Sequence, residues 1–340
     1  MREEILVGYV ERGLLQYQVH PEYPNLKIYN YTPKTQYEKL WDDVTLVCRG
    51  LVMDGDVVVA RPFGKFFNFS EHNPDEIPNT SFEVFEKMDG SLGILFYYDN
   101  KWILSSRGSF TSEQAVRAKE MMDSLNLYDY LNPEYTYMFE IIYATNRIVC
   151  KYNFEDLVLL GAIRTKDAKE LPYSDLPKGF TIVKRYENKT LEELFCTSNI
   201  EENREGYTIR FSNGFRIKVK GDWYVRMHRI LTNVTNVTIW EYLKDNLPFD
   251  EILDRVPDEF YNSVRNVKEK LTADYLEIEK AAVDAYNVIK PLCEDRKTFA
   301  LKAISDYPDV KHILFKMMDG KDYSQAIWDM VRPDFQRLAF

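Results

Sequence analysis

Up to about residue 235 the apolar positions of this 340-residue chain fall into short runs and alternations bounded by Gly, Asn and Asp. Asp56–Ala60, Lys101–Ser105, Tyr135–Phe139 and Phe215–Lys220 are β-branched or aromatic segments of strand length. Phe82, Val84 and Phe85 predict another strand, and Ile94–Tyr98 its return partner. A helix is predicted over Ser112–Leu125, capped by Thr111 or Ser112. Past Trp240 the period changes. Phe260, Val264, Val267, Leu271, Tyr275, Ile278, Ala282, Ala285 and Ile289 recur at steps of three and four, which predicts one long amphipathic helix opened by Pro257 and closed by Pro291. Two or three shorter helices follow, ending at Pro333. The pattern therefore predicts an α+β domain over residues 1–238 and an all-helical domain over 239–340, with no internal repeat or low-complexity linker.

Between the strands ending near Lys87 and beginning near Ile94 lies Lys87-Met88-Asp89-Gly90-Ser91-Leu92-Gly93. A lysine at the end of a strand, just before a glycine turn, is held firmly enough to be aimed at an electrophile. Lys-x-Asp-Gly is short, and about one chain in ten of this length would contain it by chance. The sequence supplies its own controls, because Met-Asp-Gly recurs at Met53–Gly55 and Met318–Gly320. Val52 precedes the first of these and Lys316 lies one residue too far from the second, so both read as ordinary turns.

Composition narrows the choices. With 45% hydrophobic and 29% charged residues the chain is of the globular class. A net charge of −10 argues against a general nucleic-acid coat protein, and it leaves room for an enzyme whose cations are gathered in one groove. Cys48, Cys150, Cys196 and Cys293 form no Cys-x-x-Cys pair, which predicts reduced thiols and no structural zinc. The four histidines are equally scattered. No apolar run is long enough to span a membrane and no basic-then-apolar leader opens the chain, so a cytoplasmic location is expected. No Gly-x-x-x-x-Gly-Lys-[Ser/Thr] loop is present, which gives no support to a P-loop kinase or ATPase.

Further segments flank the lysine loop in a fixed order. Cys48-Arg49-Gly50-Leu51-Val52 and Arg61–Asn68 precede it. Ser105–Ser109 with Arg107, Met138-Phe139-Glu140, Asn146-Arg147-Ile148-Val149, Arg204–Ile209 and Arg216–Lys220 follow, with Trp223-Tyr224 beyond. Taken singly, each has a plain reading. Lys218 and Lys220 alone would be the wet face of an edge strand, and Glu205-Gly206 a turn. Phe66-Phe67 and Trp223 would be core, and the charges of Ser112–Leu125 a solvated face. As an ordered set they resemble the motifs of ATP-dependent RNA ligases of the bacteriophage RNA ligase 1 type, within the covalent nucleotidyltransferase superfamily. The resemblance covers about two thirds of the chain.

That resemblance implies a nucleotidyltransferase domain, an ATP-grasp-like ligase fold of antiparallel sheets with flanking helices, followed by the helical domain. It implies that Lys87 attacks ATP to form lysine–AMP, and that AMP then passes to an RNA 5′-phosphate before the 3′-hydroxyl seals the joint. An ordinary lysine carries its proton at neutral pH, so burial, neighbouring cations and the incoming phosphates have to favour the free amine. Asp89 would orient the lysine or hold metal-bound water, Glu140 would meet the ribose or the metal shell, and Glu205 would be the main ligand of Mg²⁺, with Mn²⁺ as substitute. Lys218 and Lys220, two apart on a strand, share one face and reach the phosphates. Arg49, Lys65 and Arg107 would contact nucleotide phosphates or the RNA 5′-phosphate, and Gly90 completes the nucleotide-binding set. Tyr224 would support the two lysines.

Two departures stand out. In Leu159–Arg164, Ile163 occupies the place where many relatives carry an aromatic over the base, which leaves adenine unproved over guanine, and Arg107 stands where a lysine is expected. The implied partners are single-stranded or nicked-loop RNA, tRNA among them, for a monomer engaged in RNA repair, in a host cytoplasm were the protein viral. An mRNA-capping guanylyltransferase or a DNA ligase shares the lysine chemistry, but both typically carry an arginine soon after the motif and a small β-barrel downstream. Here Ser91-Leu92-Gly93 and a helical region stand in those places. An inactive RNA-binding protein on the same fold is the alternative of a different class, and the intact Lys87, Glu140, Glu205, Lys218 and Lys220 argue against it.

Overall fold

A computed structural model describes residues 1–232, 234–253, 256 and 260–334. It divides into two compact units, Met1–Leu231 and Thr232–Phe340. The expected boundary at 238/239 would cut a helix of the second unit, Asn236–Lys244.

The first unit is built on three sheets. Four antiparallel strands form the first sheet in sequential order: β1 (Leu15–Val19), β2 (Leu26–Tyr31), β3 (Arg49–Asp54) and β4 (Val57–Ala60). The second comprises β7 (Ser91–Tyr98), β8 (Lys101–Ser106), β9 (Tyr135–Ile142) and β10 (Asp156–Arg164), in the order β10-β9-β7-β8. The third comprises β5 (Phe67–Asn68), β6 (Phe82–Lys87), β11 (Arg185–Tyr186), β12 (Gly206–Phe211) and β13 (Arg216–Lys220), in the order β11-β6-β12-β13-β5. Its β13–β5 pairing is parallel.

Alternation along the strands decides what each face meets. Ile94 and Phe96 of β7 turn to the first sheet and pack with Ile28, Val52 and Ala60. Leu95, between them, turns the other way, to a core shared with Phe139, Leu157 and helix α4 (Glu113–Leu125) through Ala118 and Met122. Ser112 caps α4 by accepting from the Ala115 N–H at 3.2 Å, and Asn126 ends it in a left-handed conformation, φ 51°. Helix α1 (Glu3–Glu11) covers the outer face of the first sheet with Leu6, and the short helices α2 (Pro33–Tyr37) and α3 (Asp43–Val47) lie between β2 and β3. The two control tripeptides are turns: Gly55 joins β3 to β4 at φ 54°, and Gly320, at φ 65°, follows a helix. Helices α5 (Leu191–Phe195) and α6 (Asp222–Thr232) complete the unit.

Among the described residues the second unit is helical: α7 (Asn236–Lys244), α8 (Asp250–Leu253), α9 (Tyr261–Ile289), α10 (Arg296–Asp306), α11 (Lys311–Met318) and α12 (Ser324–Met330). Helix α9 is the expected long helix. Its Ala282, Ala285 and Ile289 form a core with Phe299, Ala303, Ile313, Leu314 and Ile327. Pro291 lies in the turn that ends it, whereas the expected opener, Pro257, is outside the described residues. The Trp240 indole N–H donates to the Trp328 carbonyl at 2.7 Å, which ties α7 to α12. No helix is long and apolar enough to cross a membrane among the described residues.

Candidate active site

The third sheet separates its residues by face. Val84 of β6, Tyr207, Ile209 and Phe211 of β12 and Ile217 and Val219 of β13 enter an apolar core. The residues between them therefore share the opposite face: Lys87, Gly206, Thr208, Lys218 and Lys220. Register then brings the charged ones together. Gly206 pairs with Lys87 on one side and with Lys220 on the other, so the two lysines flank one glycine in a single row across three strands. Lys218 lies one row further, opposite Thr208 and Asn68.

Glu205 enters β12 just ahead of that glycine, and its carboxylate is almost wholly buried, at 4% exposure. One oxygen accepts from Lys87 Nζ at 2.9 Å and the other lies 3.5 Å from Lys220 Nζ. Gly206 is required here. Its φ is 151°, and a β-carbon would stand 1.9 Å from the Val219 carbonyl oxygen, so any side chain would prise β12 from β13.

Two residues beyond the lysine, Asp89 is buried. Its buried carboxylate accepts from the backbone N–H groups of Val149 (2.8 Å) and Cys150 (2.6 Å) and from the Tyr224 hydroxyl (2.7 Å). Its own N–H donates to Tyr152 Oη at 2.9 Å. Those bonds brace the turn that follows Lys87. Burial, with Glu205 and Asp89 nearby, raises the Tyr224 pKa and keeps its hydroxyl a donor. Lys220 Nζ stands 5.4 Å from the Tyr224 ring centre, so this residue on α6 serves both the turn and the lysine.

A cavity of about 490 Å³ opens where the three sheets meet. Lys87, Met88 and Gly90 form its floor, with Arg49 from β3, Arg107 and Gly108 after β8, and Glu140 from β9. The Gly90 N–H donates to Glu140 Oε1 at 2.9 Å, and a β-carbon on Gly90 would lie 2.6 Å from the Ile141 carbonyl oxygen, which makes this approach specific to glycine. Burial pushes the Glu140 carboxyl up to about 7, reinforced by Glu205 and opposed by Lys87, the Gly90 N–H and Arg49. Burial likewise pulls the Arg49 guanidinium below its usual range, with Arg107 adding to the effect and Tyr31 opposing it.

Phe63, Phe66, Leu92, Leu160 and Thr208 also line the cavity. The motif reading missed Phe63, Leu160 and Thr208 and took Phe66 for core. Ile163, expected at the base, is instead buried opposite Thr136 in the second sheet. The register shift between Leu159 and Gly161 marks a bulge, and Leu160, the residue within it, reaches the cavity. Phe63 is held from behind by Arg216, whose guanidinium lies 4.2 Å from the ring centre. Arg216 is anchored in turn by Glu170, which also binds Arg210 at 2.6 Å, and Arg210 pairs with Glu83.

Glu205, Lys218 and Lys220 adjoin the cavity through Lys87 and Thr208 and are not themselves among its wall residues. Lys218 is buried, so the edge-strand reading of it fails. Lys65 is outside the wall too; its ammonium stands 5.3 to 5.6 Å from the ring centres of Tyr31, Trp41 and Phe67. Trp223 is half-buried and does not line the cavity.

A model of an RNA ligase family matches residues 47–224, which is more than half of the chain and holds every motif residue above. The chain belongs to the RNA ligase family. An RNA ligase of Rhodothermus phage RM378 is 24% identical over 88% of this chain and 86% of its own. A protein of Autographa californica nuclear polyhedrosis virus, named a bifunctional polynucleotide kinase/RNA ligase, is 28% identical over 68% of this chain, and the match spans only 39% of that larger relative. Among solved structures, an archaeal ATP-dependent RNA ligase aligns over 95% of this chain and 97% of its own, with 16% identity and a TM-score of 0.49.

Proposed function

We propose that this RNA ligase is ATP-dependent and joins a 5′-phosphate to a 3′-hydroxyl through a lysine–AMP adduct on Lys87 and an RNA whose 5′-phosphate carries AMP. One observation carries the reading: Lys87 and Lys220 flank Gly206 in a row across β6, β12 and β13, the Glu205 carboxylate lies against both, and Lys87 ends in a cavity lined by Arg49, Arg107 and Glu140. In the first step the Lys87 nitrogen, having lost a proton, forms a bond to the α-phosphorus of ATP while the bond to pyrophosphate breaks. Glu205, 2.9 Å away, keeps the amine in place until the nucleotide arrives. Arg49 and Arg107 meet phosphate oxygens, and Leu160, Phe63 and Met88 supply apolar surface for the base.

Among the described residues no cluster of three metal-binding side chains exists, and both oxygens of Glu205 already face lysines. Glu140 lies close enough to Glu205 for the two carboxylates to interact. Such a donor set suits Mg²⁺ or Mn²⁺ arriving with a nucleotide, since Mg²⁺ commonly takes one or two carboxylates together with phosphate oxygens and water. Bound there, the ion would neutralise charge on the phosphates.

The test is covalent labelling. Incubation with α-labelled ATP should leave label on the protein, and labelled GTP should leave none. Lys87→Ala should abolish labelling yet still seal RNA supplied with AMP already on its 5′-phosphate. Label retained by the variant would overturn the assignment of Lys87, and labelling by GTP alone would point to a capping-type guanylyltransferase.

A further inference from the structure

On the far side of the Asp89 turn the segment between β9 and β10 encloses a second cavity, of about 380 Å³. Asp89 belongs to its wall, whereas Met88 and Gly90 belong to the first, so the two cavities back onto the same turn. Arg147, Lys151, Tyr152 and Phe154 line the second. The rings of Tyr152 and Phe154 lie 5.3 Å apart, and Phe154 is 42% exposed although it is a large apolar side chain. Arg147 and Lys151 are exposed, and among the described residues no carboxylate pairs with either. Of the two acidic wall residues, Glu155 is paired with Arg117 at 3.1 Å and accepts from the Ala144 N–H, and Asp89 accepts from the Val149 and Cys150 N–H groups and the Tyr224 hydroxyl. In a chain of net charge −10, two exposed cations here stand beside an exposed aromatic ring.

We infer that this second cavity holds one unpaired nucleotide of the RNA, its base stacked on Phe154 and its phosphates against Arg147 and Lys151. The inference rests on the RNA-ligase reading above and deepens it by giving the RNA strand a place. An exposed ring offers a face to any base, and flexible cations beside it follow the backbone, the combination by which proteins hold single strands without reading sequence. The position suits a strand that must lie next to the nucleophile. Asp89 fastens this segment to the lysine loop through Val149 and Cys150, and Ser91 Oγ donates to Asn146 Oδ1 at 2.9 Å. Asn203, close to Glu205, clasps the Lys151 backbone in both directions, at 2.7 and 2.9 Å. A nucleotide here is therefore held against the framework that carries Lys87 and Glu205.

The experiment measures, in the full chain, the affinity for a fluorescent single-stranded RNA 12-mer and the labelling from ATP. Phe154→Ala should weaken RNA binding by about tenfold and Phe154→Leu nearly as much, while Phe154→Trp restores it, since stacking needs a π-face rather than bulk. Lys151→Ala should lower the slope of log affinity against log salt by about 0.7, the value for one lost phosphate contact on a single strand. Labelling should be unchanged in all four. RNA affinity within twofold of wild type in Phe154→Ala and Lys151→Ala, with full labelling, would overturn the inference. So would a parallel fall in labelling, because the segment would then only brace the lysine loop. A wild-type protein that neither labels nor seals would instead overturn the functional reading itself.

Discussion

Glu140 is the residue at which the proposed chemistry and stability meet. Its carboxyl titrates at about 7 in the folded chain against an ordinary value of 4.5, mainly because burial penalises the anion. The native state therefore binds more proton than the unfolded chain between those values, so this group's contribution to stability falls as pH rises from 4.5 to 7 and stays low above. Glu140→Gln, which cannot ionise, should match wild type near pH 4 and melt higher than wild type at pH 8, measured without nucleotide or metal. The same variant should label poorly from ATP. Equal melting temperatures at both pH values would show that Glu140 carries no such penalty. Tyr224→Phe removes one of three donors from the buried Asp89 carboxylate. It should cost about 1.5–3 kcal/mol in denaturant unfolding, as expected for a bond to a charged group.

At the scale of elements, the three-strand row makes a sharp demand. Gly206→Ala should break the β12–β13 pairing at the point where Lys220 is set, because the added carbon meets a carbonyl oxygen rather than a pliable side chain. Labelling should fall by at least a hundredfold, the scale of losing one preorganised charge. Gly8→Ala, with open space around it on α1, should leave labelling unchanged. The ion-pair group behind Phe63 gives a second test. Glu170→Ala strands Arg216 and leaves Arg210 with Glu83 alone, and should destabilise by about 3 kcal/mol, read from denaturant midpoints.

The same elements show what the sequence could reveal. Lys-x-Lys on β13 and the apolar residues between announced a strand with one charged face, since a period of two needs no tertiary knowledge. The long α9 stripe was legible for the same reason. Leu160 and Phe63 were not, because leucine and phenylalanine beside a strand read as core, and only a bulge and an arginine from another strand turn them to the cavity. Nor could the sequence show what holds Asp89, because the donors to its carboxylate lie 60, 61 and 135 residues away.

For the whole molecule the division into two units locates the chemistry. Every motif residue falls within Met1–Leu231, and the helical unit has a core of its own around α9. A chain ending at Thr232, after α6 and before α7, should keep labelling from ATP, whereas one ending at 240 would leave part of α7 without the Trp240–Trp328 bond. Side-by-side sealing assays should show the shortened chain losing more on a structured RNA than on a short single strand. Equal losses would mean that the helical unit contributes only stability.

In the proposed reaction, the Lys87–Glu205 contact makes loading with AMP a change of charge as well as of covalent structure. A phosphoramidate on Lys87 would bring negative charge beside the buried Glu205 and release one of its oxygens from its partner. The loaded and unloaded proteins would thus be two electrostatic species. They should separate on an anion-exchange column and melt at different temperatures, so that discharge onto RNA could be followed without a radioactive label.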